Sequence, residues 1–275
     1  MCPEFNPEAF RDFERQGHDR LAESYAEVFT PITGLAVEDL LDAANVGTGT
    51  RVLDVACGPG NVCQAARRRG AEVLGVDLSP RMVEVAERLI PDGKFRVADV
   101  ASLPFEKTSF DAVVCNFGLG HFPYPEASVA ECVRVLKRTS VLAFAWWDSL
   151  QKQRLQAIFR AALAEVSVTP SPRIPTGHDI FRFSNTAALC ELLEGAGLEH
   201  ISINDHETSI QVENAQRLWE IGMGSLAVTS SIIRDADAAT QSDIRAAFDR
   251  ICNFYQDRGS LRIPIAFKIG AGRKP

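Results

Sequence analysis

The chain has 275 residues, 36 of them acidic and 29 basic, a formal net charge of −7, and 46% apolar residues. That length buries a large core and suits one globular domain with an appended cap. The acidic balance excludes a phosphate-backbone binder, which needs a basic face, and no apolar run approaches the ~20 residues of a membrane span, so neither nucleic acid nor membrane is an expected partner.

In chain order, residues 7–30 read as an amphipathic helix carrying Phe10, Phe13, Leu21, Tyr25 and Phe29, broken at Pro31 and followed by a second helix over 35–44. The stretch Val52-Leu53-Asp54-Val55-Ala56-Cys57-Gly58-Pro59-Gly60 reads as a buried strand breaking into a glycine turn. Arg67 to Gly70 closes the next helix, and residues 71–77 supply a second strand ending in Asp77. Further strands are expected at 94–97, 112–115 and 141–146, with helices at 81–90 and 126–136 between them. Strands alternating with helices at this spacing give an α/β, doubly wound sheet. Ligands of such sheets bind at the carboxyl ends of the strands, where Gly58, Asp77, Asp99 and Asn116 all fall.

Beyond Trp147 the pattern changes. Residues 149–166 are expected to be helical, 168–183 a proline-rich loop with Pro170, Pro172 and Pro175, 185–195 a helix, 200–212 a strand, 214–258 helical throughout, and 261–269 a final strand. The chain is accordingly divided into N-terminal helices that cover the site (1–46), a nucleoside-binding core (47–148), a helix, lid loop and continuation of the sheet (149–213), a helical cap insertion (214–260) and the last strand (261–275). Seven cysteines form no C-x-x-C pair, which suits reduced thiols in a cytoplasmic compartment, and no N-terminal secretory pattern is present.

Strand, glycine turn, helix, strand and terminal acid together form a nucleoside-binding unit in which Asp77 can accept both ribose hydroxyls. Asp54 decides between nucleosides. A dinucleotide site needs an uninterrupted apolar strand and a helix N-terminus for the pyrophosphate. An unpaired carboxylate at a buried strand end costs several kcal/mol. A ligand with an ammonium and a sulfonium and no phosphate would supply the pairing, which favours S-adenosylmethionine. Asp54 capping a local turn is the plain alternative. Cys63 occupies the third glycine position of G-x-G-x-x-G, which disfavours an NAD-dependent oxidoreductase.

These motifs resemble those of the class I, Rossmann-like S-adenosylmethionine-dependent methyltransferases of the small-molecule group, over about residues 25–147. The first family motif, D-x-G-x-G-x-G, is matched from Asp54 to Gly60 with Ala56 at the first glycine. Val76-Asp77-Leu78-Ser79 followed by Met82 matches the second, and Val97-Ala98-Asp99-Val100 the third. Phe110 to Asn116 and Arg134 to Lys137 resemble the fourth strand and the helix end after it, although Lys137-Arg138-Thr139-Ser140 departs from the usual K-P-G-G turn. The resemblance implies a seven-stranded, mostly parallel sheet of order 3-2-1-4-5-7-6 with an antiparallel last strand. It implies S-adenosylmethionine held by Asp54, Ala56, Gly58, Gly60, Asp77, Leu78, Met82, Asp99, Val100, Asn116 and Phe117, Met82 near the adenine and Asp99 on its amino group. A cyclase or binding protein that keeps the cofactor without methyl transfer is the alternative.

Methyl transfer from a sulfonium is a direct displacement, so a protein must align an acceptor at about 3 to 3.5 Å, exclude water and at most supply one base. The expected aromatic pocket comprises Phe122, Trp146, Trp147, His178, Phe181 and Phe183. His121 is the first candidate base, since imidazole titrates near working pH, and Tyr25 the second. No metal is expected, because His200 and His206 lack clustered partner ligands. Asn116-Phe117-Gly118-Leu119 lacks the N-P-P-aromatic motif of base-modifying enzymes, which leaves a small, aromatic or apolar metabolite as acceptor through oxygen, nitrogen or carbon. Monomer and homo-oligomer are both compatible with the sequence.

Overall fold

The computed structural model describes residues 5–177 and 179–275; His178 lies outside the described residues. The chain opens with α1 (Pro7–Val28), started by the Asn6 side chain accepting from the Ala9 N–H at 3.0 Å and by Pro7 in the first turn, where its missing N–H costs nothing. Its buried stripe contains Phe10, Glu14, Gly17 and Leu21. The helix ends at Phe29 rather than at Pro31, which instead sits in the first turn of α2 (Thr30–Thr33). After a single 3-10 turn, α3 (Val37–Ala43) leads into the sheet.

Among the described residues eight strands follow, β1 (Arg51–Val55), β2 (Glu72–Asp77), β3 (Lys94–Val97), β4 (Phe110–Asn116), β5 (Leu136–Trp147), β6 (Glu199–Val212), β7 (Gln256–Asp257) and β8 (Ser260–Arg273). Their order is β3-β2-β1-β4-β5-β8-β6, with the two-residue β7 pairing β8 at its side. Discounting β7, this is the expected order, and the last strand is antiparallel to β5 and β6 as expected. Between strands lie α4 (Asn61–Arg68), α5 (Pro80–Leu89), α6 (Pro125–Val135), α7 (Arg154–Glu165) and α8 (Thr186–Gly195). β5 begins five residues earlier than its apolar run because residues 136–140 are recruited by the chain end, where Thr139 N–H donates to Lys274 O at 2.8 Å and Lys274 N–H to Ser140 O at 2.9 Å.

The stretch expected to be helical throughout is broken into α9 (Ala215–Ser225), α10 (Ala227–Asp235) and α11 (Ala238–Cys252), and it closes in β7. The second break has a local cause: the Asp237 side chain caps α11 by accepting from Thr240 N–H at 2.9 Å. Among the described residues no helix is long and apolar enough to cross a membrane.

α1 is the element that joins core and cap. On one side it meets α5: Asp19 accepts the Ser79 hydroxyl at 2.6 Å, and Glu23 accepts from Arg88 at 3.2 Å and Arg81 at 3.4 Å. On the other it meets the cap so closely that a Cβ at Gly17 would stand 2.8 Å from the Ala227 Cβ, and Ser24 donates to the Gly224 carbonyl at 2.8 Å. The helix therefore lies across the carboxyl ends of the strands.

Candidate functional site

Two adjoining cavities lie beneath α1. The smaller, about 100 Å³, is walled by Ala56, Gly58, Leu78, Met82, Val100 and Phe122, with Asp77, Asp99, Asn116 and Phe117 at the strand ends. Chain reversal after β1 puts Ala56 at φ 54° and Gly58 at φ 51°. Alanine accepts this left-handed backbone at a cost of about 1 to 2 kcal/mol that glycine avoids. A Cβ at Gly58 would meet no atom within 4 Å, so the glycine leaves open space at the cavity wall. Asp77 accepts from the Gly58 N–H at 2.9 Å and the Ser79 N–H at 2.8 Å, which orients its carboxylate in the cavity. Burial raises the Asp77 pKa, against the lowering effect of those two N–H groups and of the His18 and His121 charges. Asn116 donates to the Thr33 carbonyl at 3.0 Å, while its buried Oδ1 has no hydrogen-bond partner. An open glycine cradle, a carboxylate at the second strand end and an orphaned acceptor at the fourth fit a cationic nucleoside without phosphate. Asp99 accepts from the Ala101 N–H at 2.9 Å and lies 3.6 Å from Arg11 of α1.

Asp54 and Gly60 do not reach this wall. Asp54 is fully buried behind the loop, one oxygen 3.2 Å from the Cys63 thiol and the other unpartnered. Gly60 opens α4 with φ 89° and backs onto Ile90 and Phe95. Burial, opposed by the Cys63 hydrogen bond and assisted by the Asp77 charge, pushes the Asp54 pKa up to about 7. An unfolded chain releases that proton near 3.8 whereas the native one holds it until about 7, so across this window stability falls as pH rises. The cost above pH 7 has an upper bound of about 4 kcal/mol. In urea melts, Asp54→Asn is expected to gain on the wild type between pH 5 and pH 8; a gap that stays constant with pH would remove Asp54 as its source.

The larger cavity, about 520 Å³, is walled by Phe10, Phe13, Phe29, Phe117, Trp146 and Trp147, with the loop residues Val168, Pro170, Pro175 and Ile180 opposite the cap. The loop is tied down where Trp146 Nε1 donates to the Ile180 carbonyl at 2.9 Å. Phe117 holds φ 58°, a strained conformation for an aromatic residue, and its ring stacks on Trp147 at 3.9 Å. Of the other expected pocket residues, Phe122 faces the small cavity, Phe181 lies beneath the Arg160 guanidinium, and Phe183 is fully buried in the core.

Glu14, His18, Tyr25, Phe117 and His121 line both cavities. The Glu14 carboxylate, 4% exposed as a residue, receives the His121 Nδ1 at 2.9 Å. A carboxylate only accepts, so Nδ1 carries the proton and Nε2 is left as the basic nitrogen. His18, one turn after Glu14, donates through Nδ1 to the Glu14 carbonyl at 2.8 Å and packs edge-on to His121 at 5.1 Å. Burial lowers the His121 pKa, but the Glu14 charge, its hydrogen bond and the Asp77 charge outweigh this and leave it above its ordinary value. Tyr25 is driven upward by burial and by the Asp77 charge, against a lowering hydrogen bond from Thr33, so its hydroxyl stays protonated. Glu14, His18 and His121 offer ligand atoms within 4.8 Å of one another and are linked as a relay by the two Nδ1 hydrogen bonds to Glu14.

Glu14 and His18 were not singled out in the sequence. The available signal was Glu14 itself, an acid in the middle of the apolar stripe from Phe10 to Leu21, where a carboxylate is expensive without a partner.

Residues of α1 line both cavities, and Val168, Pro170, Pro175 and Ile180 of the 168–183 loop line the larger one alone, so these two segments are the ones that bound ligands would touch. Amide exchange is expected to slow in both when cofactor and acceptor bind together. Equal protection in free, cofactor-bound and ternary states would mean a preformed pocket.

A methyltransferase domain model matches residues 53–144. The ubiquinone biosynthesis O-methyltransferase of Azoarcus sp. strain BH72 is 31% identical over 164 residues, 57% of this chain and 67% of that one. The demethylmenaquinone methyltransferase of Thermotoga maritima is 42% identical over 90 residues, 32% of this chain, which thus spans about two-fifths (39%) of that relative's length. Among solved structures, Haemonchus contortus phosphoethanolamine N-methyltransferase 2, in complex with phosphomonomethylethanolamine and S-adenosylhomocysteine, superposes with a TM-score of 0.58 at 19% identity, covering 97% of this chain and 60% of that one.

Proposed function

As this chain belongs to the class I S-adenosylmethionine-dependent methyltransferases, we propose that it methylates a hydroxyl group of a small aromatic acceptor held in the larger cavity. The observation that carries this reading is the Glu14–His121 pair at 2.9 Å, set in the wall common to both cavities. When bound, S-adenosylmethionine supplies an electrophilic methyl group on a sulfonium. Gly58, Asp77 and Asn116 would hold it, through the open cradle, the carboxylate and the orphaned Oδ1.

His121 Nε2 takes the acceptor's proton as its oxygen becomes nucleophilic, and Glu14 stabilises the imidazolium that results. The raised His121 pKa suits this task, because it narrows the gap to a phenol near 10 and strengthens the base. The aromatic walls exclude water and offer ring faces to the acceptor. Support for oxygen comes from the relative named an O-methyltransferase, and support for a quinone-like ring from both relatives' names.

The test is formation of S-adenosylhomocysteine and of a methylated product across a panel of phenols, anilines and carbon nucleophiles. Methyl ethers are the expected products. Turnover of amines or carbon acids alone would discard oxygen, and tight cofactor binding with no turnover of any acceptor would favour a non-transferring protein.

A further inference from the structure

We propose that the acceptor carries a carboxylate and that Arg160 receives it, an inference that rests on the larger cavity being the acceptor's. Arg160 projects from α7 into that cavity and is the only lysine or arginine on its wall among the described residues. Its guanidinium lies over the Phe181 ring at 4.9 Å and makes no hydrogen bond or ion pair with any described residue. The arginines of the smaller cavity differ: Arg15 pairs with Asp19 at 3.0 Å, and Arg11 stands 3.6 Å from Asp99. Arg160 remains exposed as a residue, while the groups packed around its guanidinium press its pKa downward by partial burial with only the Asp179 charge opposing. A cation left without a hydrogen-bond partner on the wall of a largely apolar cavity is a site for an anion.

The type of anion follows from the neighbours. Gln156, one helical turn before Arg160, lines the same cavity; its backbone N–H donates to Gln153 at 3.1 Å, while its side-chain amide makes no hydrogen bond with described residues. Guanidinium and amide together supply the planar, forked donors that a carboxylate accepts in pairs. Asp179 and Glu14 also stand in the wall, so the chamber holds too little positive charge for a dianionic phosphate ester. The acceptor class is thus a monoanionic hydroxylated aromatic acid, its hydroxyl at His121 and its carboxylate at Arg160.

The test uses the full chain saturated with S-adenosylhomocysteine at pH 8 and follows the fluorescence of Trp146 and Trp147. Three probes are titrated: 3,4-dihydroxybenzoate, its methyl ester and a hydroxyphenyl phosphate. The acid is expected to bind at least about tenfold more tightly than the ester. Arg160→Met is expected to erase that preference while leaving ester binding unchanged, and Arg160→Lys to restore part of it. The Arg160 side chain anchors no other described residue by a hydrogen bond, so both variants should fold, which thermal melting checks. Equal binding of acid and ester by the wild type, or a preference that survives Arg160→Met, overturns the inference. Tighter binding of the phosphate overturns the carboxylate assignment. If the ester binds as well as the acid, and is methylated once S-adenosylmethionine replaces S-adenosylhomocysteine, only this inference fails. If no probe binds, and none is methylated with S-adenosylmethionine in place of S-adenosylhomocysteine, the acceptor reading of the cavity fails and takes the inference with it.

Discussion

His121→Ala is expected to lower kcat by about 10² to 10⁴-fold while cofactor affinity changes little, the loss of a positioned general base. The size of the effect follows from the chemistry: a neutral phenol is a poor nucleophile, and among the described residues no other imidazole shares the Glu14 hydrogen bond at 2.9 Å. The pH profile carries the diagnostic. A base works only when deprotonated, so activity rises with pH through the His121 pKa, which the Glu14 and Asp77 charges hold above 6.5 despite burial. Glu14→Gln removes the larger of those charges and leaves burial unopposed, so the ascending limb is expected to move to lower pH as kcat falls. The same shift has a stability sign. A histidine whose native pKa exceeds its unfolded one stabilises the fold below the unfolded value and loses that contribution as pH rises through the native value. If His121→Ala weakens cofactor binding in proportion to rate and the limb stays in place, the imidazole positions the cofactor and is not the base.

The sheet and the cofactor loop were legible because their signals are local. Apolar runs of strand length, a glycine turn at one strand end and an acid at the next lie within about 25 residues, while the order β3-β2-β1-β4-β5-β8-β6 was what the family resemblance implied. Asp54 was harder to read. A carboxylate in a buried strand points either at a ligand or at the helix packed on the sheet, and sequence period does not separate these when the strand is covered on both faces. The structure turns it toward Cys63 of α4. The relay was invisible for a different reason: Glu14 and His121 are 107 residues apart and meet only because α1 is clamped across the strand ends by Asp19, Glu23 and Gly17. Arg160 is an ordinary charged residue in an amphipathic helix until the loop carrying Ile180 folds over and turns that face into a cavity wall.

Asp77→Asn is expected to weaken S-adenosylmethionine binding by at least tenfold, and up to about 10³-fold, with the fold retained. A carboxylate has about four acceptor positions, and the Gly58 and Ser79 N–H groups use two, leaving two for hydroxyls presented from the cavity. Hydrogen bonds to a charged acceptor are each worth about 1.5 to 3 kcal/mol, so losing the charge costs more than losing one neutral contact. Asparagine keeps the shape and one acceptor oxygen but sets an amide against one of the two backbone donors, which loosens the loop between β1 and α4 as well. The pH dependence separates charge from shape. Burial raises the Asp77 pKa, so protonation begins at higher pH than for an ordinary carboxylate, and cofactor affinity of the wild type should fall as the medium is acidified. Asp77→Asn has no proton to gain there, so that part of the dependence should vanish in calorimetric titrations while melting curves report an intact fold. Unchanged affinity in the variant would remove Asp77 from the cofactor site and, with it, the reading of the smaller cavity as a nucleoside cradle.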